Sequence, residues 1–479
     1  MASMGRRTGV AGRTRGAVGA APAATAVPRL STAAVPRLGT AAEKHVQLHA
    51  PNGRGRAETA RARAATPAAG DALGEWSSAH GLGYHHPRDD PAAIFFMPEA
   101  SLQGPGCVGL FARRLAEAGV RRALLVTSGP GGAMVAPGGP VDVVSAELKG
   151  AGVASVVFDR VMPNPTAAVV DEGVEFYQDH GCDCIVSVGG GSPHDAAKGI
   201  AIVATHGGPI QRYEGVDRVP GKLVPLYAVN TTAGTASEMT RFTIITDTER
   251  KVKMAIVDAK CTPLAAVNDP LMHVGMPKGL TAATGMDALT HAIEAYVSNA
   301  SNPLTDACSL HAIRLINRYL KDAQQDGRDL EAREFMAYSE FLAGMAFNNA
   351  GLGFVHAIAH QLGGFYNLPH GVCNAVLLPT VEAWNARAVP GLFIDLARAF
   401  DFAVGDDEAD RAVRLVLGRI AEMNAELGIP SSLAELGVNP ADFDVLAANA
   451  LKDACATNNP VPFSHSEVVQ ILAEAYGEE

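Results

Sequence analysis

The spacing of hydrophobic positions divides this chain into three segments. Between about residues 93 and 275, short β-branched runs at 122–127, 153–158, 183–188 and 223–229 alternate with stretches of helical length. That alternation predicts a doubly wound parallel sheet with helices on both faces. Two further runs, 242–246 and 253–257, are separated by Asp, Thr, Glu and Arg and predict a hairpin. Beyond Met276 the pattern changes to long helical stretches rich in Ala, Leu, Met and Asn, so residues 276–479 should form an all-helical domain. Residues 1–92 show neither period and are rich in Ala, Arg, Gly, Thr and Pro.

Composition narrows the function classes. A chain of 479 residues with 48% hydrophobic and 19% charged residues can bury a large core in two or three domains. The first 92 residues hold 12 Lys and Arg against 6 Asp and Glu, so the whole-chain charge of −11 leaves −17 on the remainder. An acidic body argues against a nucleic-acid surface, and no apolar run approaches the ~20 residues that span a bilayer. Seven cysteines without a paired CxxC suggest reduced thiols in an intracellular compartment; Cys182 and Cys184, two apart, would face one side if both lie in a strand. The Arg-rich, hydroxyl-containing start has Glu43 and Glu58 as its only acids before Asp71. This is the composition of a mitochondrial or plastid transit peptide; the competing reading is a disordered Ala/Arg tail on a cytoplasmic protein. His80, His85 and His86 fall in this Gly/Pro-rich region and read as solvated loop residues.

Two Gly- and hydroxyl-rich turns follow predicted strands. In the stretch 188–198, Gly189, Gly190 and Gly191 allow a sharp turn and close approach to a ligand. Ser192 reads as the N-cap of the next helix, with Pro193 at its first position and Asp195 completing a capping box. Such a helix start offers free N–H groups to a pyrophosphate. The stretch 230–238 supplies Thr231, Thr232 and Thr235 at the end of another strand, and two such turns at one sheet edge favour a dinucleotide over a merely structural glycine turn. Asn164 and Thr166 follow a third strand and can add contacts there; Lys253 on the hairpin joins the same set.

The helical segment carries donors suited to a divalent metal. Asp287 and His291 are four apart and project from one helix face; His356 and His360 repeat that offset on a second helix; His370 lies between a Pro-containing turn and Gly371. Singly, each histidine is more often a hydrogen-bonded core residue, but together they point to a metal site. Oxygen and imidazole without sulfur suit Fe(II), Zn, Mn or Co equally. Glu294, seven residues after Asp287, is either a partner behind a ligand or a solvated carboxylate. His206, His273 and His311 lack such partners and read as structural or surface residues, and Cys373 as a buried inert thiol.

The stretches 189–198, 231–242, 285–296 and 356–374 together resemble the iron-containing (group III) alcohol dehydrogenase family, especially the bacterial branch similar to lactaldehyde reductase and the NAD-dependent methanol and ethanol dehydrogenases. The resemblance covers about residues 93–479. It implies a dehydroquinate synthase-like fold, α/β plus all-α, with cofactor and metal meeting between the two domains. It further implies Asp287, His291, His356 and His370 as ligands of Fe(II), with Zn possible, and His360 near the nicotinamide. Many members carry Asp where this chain has Ser128 after the first strand. That Asp binds the adenosine ribose, so Ser128 predicts weakened preference for NAD over NADP. The expected reaction is hydride transfer between the nicotinamide and a small primary alcohol or aldehyde, with His360 relaying the alcohol proton to solvent. Phe347, Phe354, Phe365 and Tyr366 flank the histidines and suggest an apolar substrate pocket, or else ordinary core aromatics. A homo-oligomer, dimer or larger, is expected. A metal-dependent sugar-phosphate cyclase would need Lys and Arg beside the metal, and residues 285–296 and 347–374 contain none. A scaffold with a relic site would leave the donors and both turns without a role.

Overall fold

The computed structural model describes residues 94–250 and 252–477. The expectations for residues 1–92, including His80, His85 and His86, lie outside the described residues. The α/β part runs β1 (Ala100–Gln103), α1 (Cys107–Glu117), β2 (Arg122–Ser128), α2 (Pro140–Gly150), β3 (Ala154–Val161), α3 (Ala167–Asp179), β4 (Cys184–Gly189), α4 (Gly191–His206), β5 (Gly215–Val216), β6 (Leu226–Asn230), β7 (Phe242–Asp247), β8 (Val252–Val257) and β9 (Ala265–Asn268). From Lys278 on, every described element is helical: α5 (Lys278–Val297), α6 (Pro303–Gln325), α7 (Leu330–Ala350), α8 (Phe354–Tyr366), α9 (His370–Ala386), α10 (Leu392–Ala399), α11 (Ala409–Leu427), α12 (Phe443–Ala450) and α13 (His465–Tyr476), with short 3-10 turns between some of them.

Six strands form one parallel sheet in the order β1-β9-β6-β4-β2-β3. The inner strands β2, β4, β6 and β9 are buried at consecutive positions because both their faces are covered. Leu124 and Val126 pack with Ile185 against α4, whereas Ala123 and Leu125 pack with Cys184 and Val186 against α1 and α2. The chain passes from β2 outward to β3 and then back across β2 to β4. The direction of winding therefore reverses between β2 and β4, and the crevice at their carboxyl ends is where such sheets bind ligands. The hairpin β7–β8 is antiparallel, and β5 adds to β8 to make a separate three-stranded sheet.

Three expectations are corrected. Helix α4 starts at Gly191, and its N-cap is the extended Gly190 with no side-chain cap. Ser192 thus lies inside the first turn rather than capping it, and the capping box with Asp195 does not form; Asp195 instead accepts a 3.0 Å bond from Ser237 Oγ. Cys182 precedes β4 and joins the core on one face of the sheet, while Cys184 within β4 joins the other. The short strands β1, β5 and β9 were not expected. β9 is Ala-Ala-Val-Asn, weak in β propensity, and exists because it is buried between β1 and β6.

Two buried histidines make the fold acid-sensitive. His194 bonds Ser187 Oγ through Nδ1 at 2.7 Å, and His273 Nε2 lies 3.3 Å from the Asn230 carbonyl. Burial, helped by Lys198, lowers His194 to about 3; burial, helped by Arg333, lowers His273 to about 4, both from 6.5. The unfolded chain therefore binds more protons below pH 6.5, so this stability is complete above pH 6.5 and is lost as pH falls toward 4. Urea midpoints should decline through that window, and His273→Gln should flatten the decline. An unchanged slope in that variant would place the acid sensitivity elsewhere.

Candidate functional site

Asp287, His291 and Glu294 lie on one side of α5, a helix buried along most of its length from Thr281 to Val297. Opposite stand His356, in the first turn of α8, and His370, the first residue of α9. The close approach of α9 to α5 needs Gly371, where a β-carbon would come within 2.2 Å of the Ala283 carbonyl oxygen. Ligand atoms of Asp287, His356 and His370 all lie within 4.8 Å of one another. His291 is outside that tightest set; its ring stacks on His356 at 4.6 Å between centroids and on Phe347 at 4.2 Å.

Hydrogen bonds fix which nitrogen each ring presents. His356 Nδ1 is 2.5 Å from Glu294 Oε2, and Glu294 Oε1 accepts from Val355 N at 2.7 Å, so one carboxylate ties down the start of α8 and turns His356 Nε2 inward. His291 Nδ1 lies 3.2 Å from the Gly234 carbonyl, which leaves its Nε2 as the lone-pair nitrogen. Burial holds the His291 and His356 imidazoles below their ordinary range, so they are neutral and able to donate lone pairs. The amide nitrogen of Asn374 sits at the focus: 2.7 Å from Asp287 Oδ1, 3.0 Å from His356 Nε2 and 3.2 Å from His370 Nε2. Three acceptors converging on one point demand a donor or a cation there, and the donor set is the oxygen-plus-imidazole kind that holds iron or zinc. Asp287 and His356 are buried and His370 is one-third exposed, so the cluster opens toward solvent on the His370 side.

His360 stands beside the cluster rather than in it. Its ring stacks on His370 at 5.4 Å, and its Nδ1 is 2.9 Å from Asp453 Oδ2. Asp453 also accepts from Gln361 Nε2 at 3.4 Å. A carboxylate facing Nδ1 favours the tautomer that leaves the lone pair on Nε2; burial pushes the Asp453 carboxyl up, and its contact with the His360 imidazole outweighs this and holds it below its ordinary range.

The two glycine turns meet. β-Carbons on Gly190 and Gly191 would approach Thr232 and Thr235 to 2.7 and 3.2 Å, and Thr231 N donates to the Gly189 carbonyl at 2.9 Å. Ser128 ends β2 at the winding reversal, and Ser192 is half-buried in the first turn of α4. Thr232 Oγ1 is buried without a partner among the described residues. A bare cradle with an orphaned hydroxyl and a helix N-terminus suits a diphosphate. Asn164 reaches across to the helical half, its Nδ2 donating to Asn367 Oδ1 at 3.1 Å, and both residues adopt left-handed backbone conformations. Lys253 points at α8, where a β-carbon on Gly363 would lie 3.5 Å from its Nζ. Asp195 is turned toward Ser237, and burial raises its carboxyl to about 6 against the opposing pull of Lys198.

The loop after β6 joins the glycine turns to the Asp287–His291–His356–His370 cluster. Gly234, whose carbonyl faces His291, has no room for a side chain: a β-carbon would meet the Thr284 β-carbon at 2.6 Å and its carbonyl oxygen at 2.8 Å. Of the aromatics expected to line a pocket, Phe347 does touch the cluster. Phe354 instead packs on Phe463 in the core, Phe365 is 54% exposed, and Tyr366 donates to Asp442 at 2.5 Å, because α8 turns those faces away from the donors.

Comparison with known proteins decides the family. The model described as iron-containing alcohol dehydrogenase matches residues 98–270, and that of the family's C-terminal part matches residues 281–476. The chain belongs to the iron-containing alcohol dehydrogenase family. Alcohol dehydrogenase 4 of Schizosaccharomyces pombe is 50% identical over 385 residues, 80% of this chain and 89% of that one. The NAD-dependent methanol dehydrogenase of Bacillus methanolicus is 44% identical over 381 residues, 80% of this chain and 99% of that one. A crystal structure of 1,3-propanediol oxidoreductase superposes with a TM-score of 0.78 at 45% identity, covering 80% of this chain and all of the other. The fold is dehydroquinate synthase-like, and the protein is an iron- and NAD-linked oxidoreductase acting on alcohols or aldehydes.

Asp453, Asn374 and the Gly234 carbonyl were missed at the level of sequence. Asn374 ends a motif already singled out. Asp453 lies 93 residues from His360 with no local pattern, and a backbone carbonyl leaves no mark in composition.

Proposed function

We propose that Asp287, His291, His356 and His370 together hold Fe(II), that the turns at Gly190–Ser192 and Thr231–Thr235 hold the NAD diphosphate, and that the substrate is a small primary alcohol or its aldehyde. In this reading residues 93–275 form the cofactor half and residues 276–479 the metal half. The carrying observation is the three-acceptor convergence that Asn374 fills, opening beside His370. When bound, the cation acidifies the alcohol hydroxyl or polarises the aldehyde carbonyl, and NAD exchanges the hydride. Phe347 closes the apolar side of the site, stacked on His291. His360 takes the alcohol proton on Nε2 and passes it to solvent, while Asp453 keeps the Nδ1 proton in place and stabilises the transient imidazolium. Asn164 and Lys253 bridge the two halves around the cofactor. The acid-poor, Arg-rich composition of residues 1–92 supports a targeting role for that extension.

His370→Ala should lose bound iron. His360→Ala should retain iron yet lower kcat by roughly a hundredfold or more, the usual worth of a positioned proton acceptor. Iron content and turnover measured on the two purified variants check this; full metal and full activity in both would refute the assignment.

Ser128 in place of an acid removes repulsion of the 2′-phosphate. The protein should therefore use NADP with kcat/KM within about an order of magnitude of NAD, and Ser128→Asp should suppress NADP. Strong NAD selectivity in the unmodified protein would show that another residue discriminates.

A further inference from the structure

Beside the site lies a second convergence of different chemistry. A ring nitrogen of His360, a carboxylate oxygen of Asp453 and Cys455 Sγ all fall within 4.8 Å of one another, and it is His360 Nδ1 that faces Asp453 Oδ2, at 2.9 Å. His360 comes from α8. Asp453 caps the 3-10 turn Ala454–Asn458, and its Oδ1 accepts from Cys455 N at 3.0 Å, which folds residue 455 back beside the carboxylate. The three are partly buried, with side-chain exposures of 27% for His360 and 17% for Asp453. Imidazole, carboxylate and thiolate with one solvent ligand make a four-coordinate set that favours a thiophilic ion such as Zn(II).

We propose that His360, Asp453 and Cys455 form a second, inhibitory cation site for Zn(II), separate from the sulfur-free cluster. On binding, the Cys455 S–H bond is replaced by a Zn–S bond and one proton leaves to solvent. The ion takes the lone pair of His360 Nδ1, and the imidazole proton moves to Nε2. Asp453 and the thiolate together balance the charge of the ion, so its proximity to the iron cluster adds no net repulsion. With Nε2 protonated and Nδ1 occupied, His360 has no lone pair left to accept the alcohol proton. The inhibition rests on the relay role proposed above; the site itself does not.

Cobalt(II) separates the two. A thiolate ligand gives cobalt an intense near-ultraviolet charge-transfer band, and Asp287, His291, His356 and His370 contain no sulfur. Titrating the iron-loaded full chain with Co(II) without oxygen should develop that band to saturation, Zn(II) should displace it, and Cys455→Ser should lack it. Zn(II) should lower kcat by roughly a hundredfold, restored by a chelator too weak to strip iron, and Cys455→Ser should resist that inhibition. Should the variant fold poorly, peptide mapping of the unmodified protein should find Cys455 shielded from iodoacetamide by Zn(II). No band, a band that survives Cys455→Ser, or an unshielded Cys455 overturns the site. A Cys455-dependent band with kcat unaffected by Zn(II) upholds the site and overturns the relay role of His360.

Discussion

One short loop, residues 230–238, sets the relation between the two halves. Gly234 lies against α5 so closely that no side chain fits, and its carbonyl orients His291. From the other side, Glu340 on α7 accepts the Ala236 N–H at 2.6 Å and bonds Asn230, while burial raises Glu340 and its hydrogen-bonded neighbour Glu238 so that the pair keeps a proton. Ala236 is held in a left-handed conformation, φ 51°, that a non-glycine residue adopts only when its surroundings enforce it. The same loop packs Thr232 and Thr235 onto Gly190 and Gly191. The glycine turns and the Asp287–His291 side of α5 thus both pack against one strip of backbone.

Two imidazoles of the Asp287–His291–His356–His370 cluster are held neutral by their surroundings. Buried imidazoles lose the charged form to desolvation, and a carbonyl or carboxylate on the Nδ1 of His291 and of His356 leaves the lone pair on the inward nitrogen. Glu294 does this for His356, and the Gly234 carbonyl does it for His291. Burial raises the carboxyls of both Glu294 and Glu382, the latter to about 8, and the negative charge of Glu382 adds to the rise at Glu294. His360 differs in being partly exposed and paired with the Asp453 carboxylate.

Much of this was legible in sequence where the signal is local. The β2, β4 and β6 strands read clearly because both-face burial makes them continuous apolar runs, and the donor pairs read clearly because a four-residue offset stacks side chains on one helix face. Legibility failed where tertiary contacts decide. β9 is a strand by position, not by propensity. Ser192 looked like a cap, yet packing of the glycines against Thr232 and Thr235 starts the helix earlier. Phe354, Phe365 and Tyr366 share a helix with the donors but face elsewhere, and Asp453 meets His360 only through the folded chain.

The most direct test of this account is the iron content of the Gly234→Ala protein, purified without oxygen and shown by circular dichroism to be folded. A β-carbon there must push the loop off α5, freeing His291 from its carbonyl and shifting the cradle. The account predicts that iron falls well below one per chain and that NADH affinity, read by fluorescence on the same sample, falls with it. Full iron occupancy with unaltered NADH binding would contradict the claim that a single loop governs both sites.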